Sequence, residues 1–89
     1  LTNQAQRTVR ERLAITLLKL KDTYGLDYAE NGTVEINLTR EDLANIVGTA
    51  TETLIRLLQE FKQDSLITTK GRKIKIENPD GLLKTANLY

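Results

Sequence analysis

The chain has 89 residues, of which 39% are hydrophobic and 28% charged, and its formal net charge at pH 7 is +1. This length predicts a single small domain with one hydrophobic core, and the low net charge argues against a general polyanion-binding tail. The sequence contains no His and no Cys, which removes the commonest catalytic base and the thiolate metal ligands. No segment has the length and apolarity of a transmembrane helix or a signal peptide.

Residues 1–24 are predicted to form a leading amphipathic helix, which begins near Asn3. Gly25 is expected to end this helix. A helix of this kind can bind a membrane or a partner, but packing against the domain's own core is the favoured interpretation. Its apolar stripe repeats at steps of three and four residues and consists of Val9, Leu13, Ala14, Leu17, Leu18, Leu20 and Tyr24.

Residues 26–38 are predicted to form a β-hairpin. The dipeptide Asn31-Gly32 favours a two-residue turn, because both positions tolerate positive φ. After the turn, Val34, Ile36 and Leu38 alternate with polar residues, which predicts a strand with one buried face. No cluster of glycines leads into a helix here, so the segment does not have the pattern of a phosphate-binding loop.

Residues 39–64 have the pattern of a helix-turn-helix. A short helix is predicted from Thr39 to Val47, with Thr39 as its cap and Gly48 taking the positive φ that ends it. A second helix is predicted over Thr51–Gln63. The residues expected to face the core are Leu43, Ile46 and Val47 on the first helix and Leu54, Leu57, Leu58 and Phe61 on the second.

The opposite face of the second helix carries long side chains with hydrogen-bonding ends. Glu52, Arg56, Gln59 and Gln63 fall there at about 100° per residue. In the major groove of DNA, Arg pairs with guanine, Gln pairs with adenine, and Glu accepts from cytosine. A solvated polar face is the simpler interpretation of an isolated helix, but the preceding helix and turn favour base recognition.

Residues 65–77 are predicted to form a second hairpin, the wing. Its first strand begins at Leu66 and Ile67, Lys70-Gly71 makes the turn, and Arg72 to Ile76 returns with Ile74 and Ile76 facing inward. The tip is basic and can reach DNA phosphates through Lys70, Arg72 and Lys73. Cations on an exposed strand edge also discourage aggregation, and for each residue both explanations remain open.

Residues 78–89 are predicted to form a short C-terminal helix. Asn78, Pro79 and Asp80 combine a capping side chain, a Pro at the first helical position and an acid in the first turn. Leu82, Leu83 and Ala86 are expected to dock this helix on the core.

The segment LTREDLANIVGTATETLIRLLQEFKQDSLIT, followed by GRKIKI, resembles the C-terminal DNA-binding domain of the Crp/Fnr family of bacterial transcription regulators. The resemblance extends from about Arg7 to the final helix and implies an α+β winged helix-turn-helix fold. Regulators of this family are cytoplasmic homodimers with an effector-sensing β-barrel and a long dimerisation helix. The resemblance therefore implies that both parts lie outside this sequence and that the fragment is monomeric. It also implies a palindromic double-stranded DNA operator and contact of the whole protein with RNA polymerase. No cofactor is expected in the fragment, and the effector is unknown.

The resemblance also assigns site residues. Glu52 and Arg56 match the family's paired base-contacting residues, with Thr51, Ile55 and Gln59 as further candidates on the same helix. The residues expected near phosphates are Thr39, Thr49, Lys70, Arg72 and Lys73.

Three positions depart from the family pattern. Ala50 stands where a capping Ser is usual, which leaves Thr49 as the candidate cap of the second helix, with Glu52 as its capping-box partner. Thr51 stands where some members have a base-contacting Arg. Ile55 stands where the family frequently has a small residue, so it either meets a thymine methyl or shields the backbone.

Two other classes of function are alternatives to DNA binding. One alternative is a winged helix that serves purely as a protein-interaction module. An exposed apolar patch would favour that role, and Ile55 is the one hint of such a patch. An enzyme is not expected. The carboxylates that could serve in catalysis, Glu52 and Asp64, are about three helical turns apart, and neither a nucleophile nor a metal cluster accompanies them.

Overall fold

A computed structural model describes residues 7–24 and 35–87 of the chain. Within these residues the fold is α+β and consists of helices packed on a small antiparallel sheet, which confirms the predicted winged helix-turn-helix. The elements in chain order are α1 (Val9–Tyr24), β1 (Glu35–Asn37), α2 (Arg40–Val47), α3 (Thr51–Gln63), β2 (Ile67–Lys70), β3 (Lys73–Ile76) and α4 (Pro79–Thr85).

Helix α1 begins at Val9, later than the predicted start near Asn3. Residues 3–6 lie outside the described part, and Arg7 and Thr8, which are described, are not helical. The start is a capping box: the Thr8 hydroxyl accepts from the Glu11 amide at 3.0 Å, and the Glu11 carboxylate accepts from the Thr8 amide at 2.9 Å. These two bonds satisfy amides that have no partner within the helix, so α1 begins at Val9.

The predicted core face of α1 is confirmed where it is described. Leu13, Ala14 and Leu17 are fully buried, and Val9, Leu18 and Leu20 are partly buried against the same core. The side chain of Tyr24 and the predicted helix end at Gly25 lie outside the described residues.

The three strands form one antiparallel sheet in the order β1-β3-β2. The turn predicted at Asn31-Gly32 lies outside the described residues, but its second strand is present as β1. Ile36 of β1 pairs with Ile74 of β3, and Thr69 of β2 pairs with the other side of Ile74. The wing is therefore part of a three-stranded sheet, and its inward-facing Ile74 and Ile76 are buried as predicted.

The wing turn is displaced by one residue from its predicted place. Strand β2 ends at Lys70, the turn is Gly71-Arg72 with Gly71 at φ 63°, and β3 starts at Lys73. Arg72 is thus a turn residue rather than the first residue of the return strand. Leu66, predicted to begin the first strand, is buried just before it, and its carbonyl accepts from the amides of Glu77 and Asn78.

Helix α2 has the predicted start and end. The Thr39 hydroxyl accepts from the Asp42 amide at 3.0 Å, and Gly48 adopts φ 86° and donates to the carbonyl of Ala44. Leu43 and Val47 are buried, but Ile46 is 55% exposed, so its predicted core position is wrong. The buried face of α2 also includes Ala44. With a rotation of 100° per residue, the centre of this buried face lies about 110° around the helix axis from Ile46.

Helix α3 buries its predicted apolar side, with Leu54 and Phe61 fully inaccessible and Leu57 and Leu58 nearly so. Arg12 of α1 donates to the carbonyls of Val47 and Gly48, which ties α1 to the turn that precedes α3. This arrangement fixes α3 against the core with its polar side outward.

Helix α4 begins as predicted, with the Asn78 side chain accepting from the Gly81 amide at 3.0 Å and Pro79 in the first turn. Leu82 and Ala86 are buried and Leu83 is half-buried, but the helix ends at Thr85. A Cβ atom at Gly81 would lie 2.5 Å from the Leu66 Cδ2 atom, so a larger residue there would have to displace the end of this leucine side chain.

Candidate nucleic-acid interface

The outer surface of α3 presents most of the predicted base-contacting residues on one strip. Glu52 and Gln59 are exposed, Ile55 is 46% exposed, and the Arg56 side chain is 63% exposed. At 100° per residue all four fall within a sector of about 100°. Thr51 is half-buried and lies about 100° from Glu52, which places it at the edge of this strip.

The start of α3 differs from the prediction that Thr49 caps it. The N-cap residue is Ala50, which has no side-chain acceptor, and its carbonyl accepts from the Leu54 amide at 3.0 Å. A capping hydroxyl must belong to the N-cap residue itself, and Thr49 lies one position too early. Glu52 is therefore not the capping-box partner of Thr49, and its carboxylate is exposed.

Glu52 and Arg56 have different surroundings. Among the residues that the structure describes, Glu52 has no side-chain hydrogen bond or ion pair. Arg56 donates from Nη1 to Oε2 of Glu60, one turn further along α3, at 2.8 Å. The other oxygen of Glu60 accepts from Nη1 of Arg10 on α1 at 2.7 Å.

Arg10 is held by two further contacts. Its Nη2 donates to Asp64 at 3.0 Å, and its guanidinium lies 4.9 Å from the centre of the Phe61 ring. Arg10, Glu60 and Asp64 were not among the predicted site residues. The spacing of four residues between Arg56 and Glu60 was a signal that could have found their pair. No local sequence pattern predicts the contact between Glu60 and Arg10, which are fifty positions apart.

The wing turn is attached to α2 and to β1. Arg40 donates from Nη2 to the carbonyl of Gly71 at 3.0 Å and from Nη1 to that of Arg72 at 3.3 Å. Nε of Arg72 donates to the Asn37 side chain at 3.1 Å. Burial lowers the pKa of Arg40 from its ordinary value, but a guanidinium remains protonated at neutral pH. The turn is thus placed beside the start of α2 by arginine contacts.

The predicted phosphate contacts occupy two places. Lys70, Arg72 and Lys73 are all exposed at the wing turn, and Lys70 is paired with Lys73 across the two strands. Thr39 and Thr49 are half-buried at the start of α2 and just before α3. The structure therefore divides this set between the wing and the helix-turn-helix.

A cleft of about 160 Å³ separates the outer side of α3 from the wing. It is lined by Arg40, Ile55, Leu58, Gln59, Lys62 and Thr69. Two of these residues, Arg40 and Lys62, are cations, so the cleft beside Ile55 combines apolar surface with positive charge.

Residues 7–24 and 35–87 contain no group of three or more His, Cys, Asp or Glu that could hold a metal ion. In the same ranges, no helix combines the length and apolarity needed to cross a membrane.

Residues 11–85 match the family model of the Crp-like helix-turn-helix domain. The fumarate and nitrate reduction regulatory protein of Escherichia coli K12 is 30% identical over 82 residues, which are 92% of this chain and 33% of that protein. Its counterpart in Yersinia pestis is 29% identical over the same length. The chain thus spans about a third of the length of the curated relatives that it matches.

Solved structures agree with these sequence matches. A transcriptional regulator of the CRP/FNR family from Thermus thermophilus superposes with a TM-score of 0.83 and 30% identity, covering 93% of this chain and 42% of that one. FixK2 from Bradyrhizobium japonicum gives a TM-score of 0.74 and 25% identity, covering 89% of this chain and 38% of that one. The relatives are transcription regulators, not enzymes. The chain therefore belongs to the Crp-like helix-turn-helix family, the DNA-binding domains of CRP/FNR-type bacterial transcription regulators.

Proposed function

We propose that this domain recognises a specific DNA sequence by placing α3 in the major groove, as the output domain of an effector-responsive regulator. The observation that carries the proposal is the exposed strip of Glu52, Ile55, Arg56 and Gln59 on the side of α3 opposite its buried apolar face. In helix-turn-helix proteins the second helix enters the groove and its N-terminal residues contact base edges.

Each residue of the strip has a chemically defined base partner. The Arg56 guanidinium contacts O6 and N7 of guanine, and the Glu52 carboxylate accepts from the amino group of a neighbouring cytosine. Gln59 is suited to adenine, and Ile55 to the methyl group of thymine. Thr51, at the edge of the strip, makes a hydroxyl contact with a base or with the adjacent backbone.

The phosphate contacts hold the domain in register on the duplex. Thr39 uses an oxygen lone pair to cap α2, so its O–H remains a donor for a phosphate. Near Thr49, the first turn of α3 has no side-chain cap, and helix N-termini with open amides attract phosphate. At the wing, Lys70 and Lys73 supply charge, and Arg72 retains its Nη donors beyond the contact with Asn37.

The chain covers only a third of the length of its relatives, so the action of the whole protein is a proposal that rests on them. We infer that the 89 residues form a single DNA-binding domain, monomeric alone. In the complete cytoplasmic protein it is joined to a sensor domain and a dimerisation helix. The homodimer then places two α3 helices on a palindromic operator, about 34–36 Å apart, and contacts RNA polymerase.

A protein-interaction module is the second candidate function, and the exposed Ile46 and Ile55 are the observation in its favour. Ile55, however, lies in a cleft with Arg40 and Lys62. Two cations in a cleft beside the proposed recognition helix are better suited to a polyanion than to a purely apolar partner, so DNA binding remains the preferred function.

The test of base recognition uses Arg56→Ala and Glu52→Ala, with Lys84→Ala on the exposed part of α4 as a control that also removes a charge. Sites are first selected from random duplex DNA by the wild-type chain. Arg56→Ala should lose about 1–3 kcal/mol on the selected site and relax the preference at one G·C pair. Glu52→Ala should relax the preference at an adjacent pair, and Lys84→Ala should change neither.

Two results would count against this function. Equal losses of affinity for selected and random DNA would make Arg56 and Glu52 positioning contacts rather than base contacts. A wild-type chain without salt-dependent DNA binding would favour the interaction module.

A further inference from the structure

The proposed guanine-contacting side chain, Arg56, is held by a carboxylate. Glu60 accepts from Arg56 through Oε2 at 2.8 Å and from Arg10 through Oε1 at 2.7 Å. Glu60 is half-buried and lies about 80° from Glu52 around α3, at the border between the exposed strip and the core side. One carboxylate thus links the outer strip of α3 to α1.

Glu60 is held by a second arginine, Arg10, which has further contacts of its own. Arg10, its second partner, also donates to Asp64 at 3.0 Å and stacks over the ring of Phe61, which is fully buried. Only 35% of the Arg10 side chain is exposed. With Arg10 fixed by two other groups, the orientation of the Glu60 carboxylate is fixed as well.

The contact with Glu60 leaves Arg56 able to bind a base. A guanidinium has five N–H donors, and the single bond from Nη1 to Glu60 uses one of them. A bidentate contact with guanine needs two donors, so the remaining four suffice. Arg56 can therefore keep Glu60 as its partner while it contacts guanine.

We propose that Glu60 is a positioning residue for Arg56 and sets how strongly the domain discriminates guanine from other bases. This role rests on the proposed function, since it requires Arg56 to contact guanine. An arginine already held in place loses less side-chain freedom on binding than a mobile one. The negative charge of Glu60 also repels every DNA sequence equally, because the phosphate backbone is uniformly charged.

The positioning of Arg56 and the repulsion of DNA by the Glu60 charge affect different quantities, and Glu60→Gln changes both. The loss of charge raises affinity for all duplexes, whereas the loss of the charged partner lowers discrimination at the guanine. Asp64→Asn is the matched control: it removes the same charge from the next turn, and its carboxylate contacts Arg10 but not Arg56. Both side chains lie on the surface, and thermal melting of each variant verifies that it folds.

The probes are a short duplex with the site selected by the wild-type chain and the same duplex with its contacted G·C pair replaced by A·T. Glu60→Gln should reduce the affinity ratio of the two duplexes by about two- to tenfold, the cost of ordering one long side chain. Asp64→Asn loosens Arg10 but keeps the bond between Arg56 and Glu60, so it should reduce that ratio by less than Glu60→Gln does. Both variants should bind random duplex DNA more tightly than the wild type.

The outcomes separate this inference from the function on which it rests. If Arg56→Ala lowers the ratio but Glu60→Gln lowers it no more than Asp64→Asn does, the positioning role is overturned and base contact by Arg56 stands. If Arg56→Ala does not change the ratio, or the wild type selects no site with a G·C pair, then both the positioning role of Glu60 and the base contact by Arg56 are overturned.

Discussion

The missing side-chain cap of α3 makes Ala50→Ser a stabilising substitution. The backbone of Ala50 has φ −72° and ψ 149°, within about 10° of Thr39, which has φ −67° and ψ 157° and caps α2. The Thr39 hydroxyl reaches the amide three residues later at 3.0 Å. By the same geometry, a Ser hydroxyl at position 50 will accept from the amide of Thr53.

The expected gain follows from known capping energies. Exchange between Ala and Ser at an N-cap changes stability by about 0.5–2 kcal/mol, typically ~1. For a domain of this size, 1 kcal/mol corresponds to a shift of about 4–8 °C in Tm. Ala50 is exposed, so the new side chain meets no packed neighbour and the gain is not offset by strain.

Urea and thermal unfolding of the wild type and Ala50→Ser measure this gain. The matched controls are Ala50→Thr and Ala50→Val, which have nearly the same shape and differ by one hydroxyl. The Thr variant should be the more stable of the two by about 1 kcal/mol. If the Thr and Val variants unfold at the same denaturant concentration, position 50 is not a capping site and the reasoning is refuted.

Two other predictions concern the wing and the core. Replacing Lys70, Arg72 and Lys73 together by Ala should weaken binding to all DNA sequences and lower the salt slope by about one unit per lost phosphate contact. Titration at several salt concentrations gives the slope. Phe61→Ala should cost about 3–5 kcal/mol of unfolding free energy, because this ring is the largest of the fully buried side chains among the described residues. Urea unfolding measures that loss.

Each of these predictions has its own contrary result. An unchanged salt slope in a folded triple variant would leave solubility as the explanation of the basic wing. For Phe61→Ala, a cost below about 1 kcal/mol would mean that the core closes over the vacated space.

The local elements were determined by the sequence itself. The Thr39 cap, the positive φ of Gly48 and the buried side of α3 depend on residues within one or two helical turns of each other. Caps, helix ends and apolar periodicity are short-range effects, so the sequence predicts them without knowledge of the rest of the chain. The exposed strip with Glu52 and Arg56 follows from the same periodicity.

Other features were decided only by the tertiary structure. The pairing of β1 with β3, the bonds from Arg40 to the wing turn, and the contact between Arg10 and Glu60 join residues more than thirty positions apart. Ile46 was predicted to face the core, yet it is exposed, because α2 docks with Leu43, Ala44 and Val47 against the core. Long-range contacts of this kind depend on how the elements pack, and no spacing within a single element encodes them.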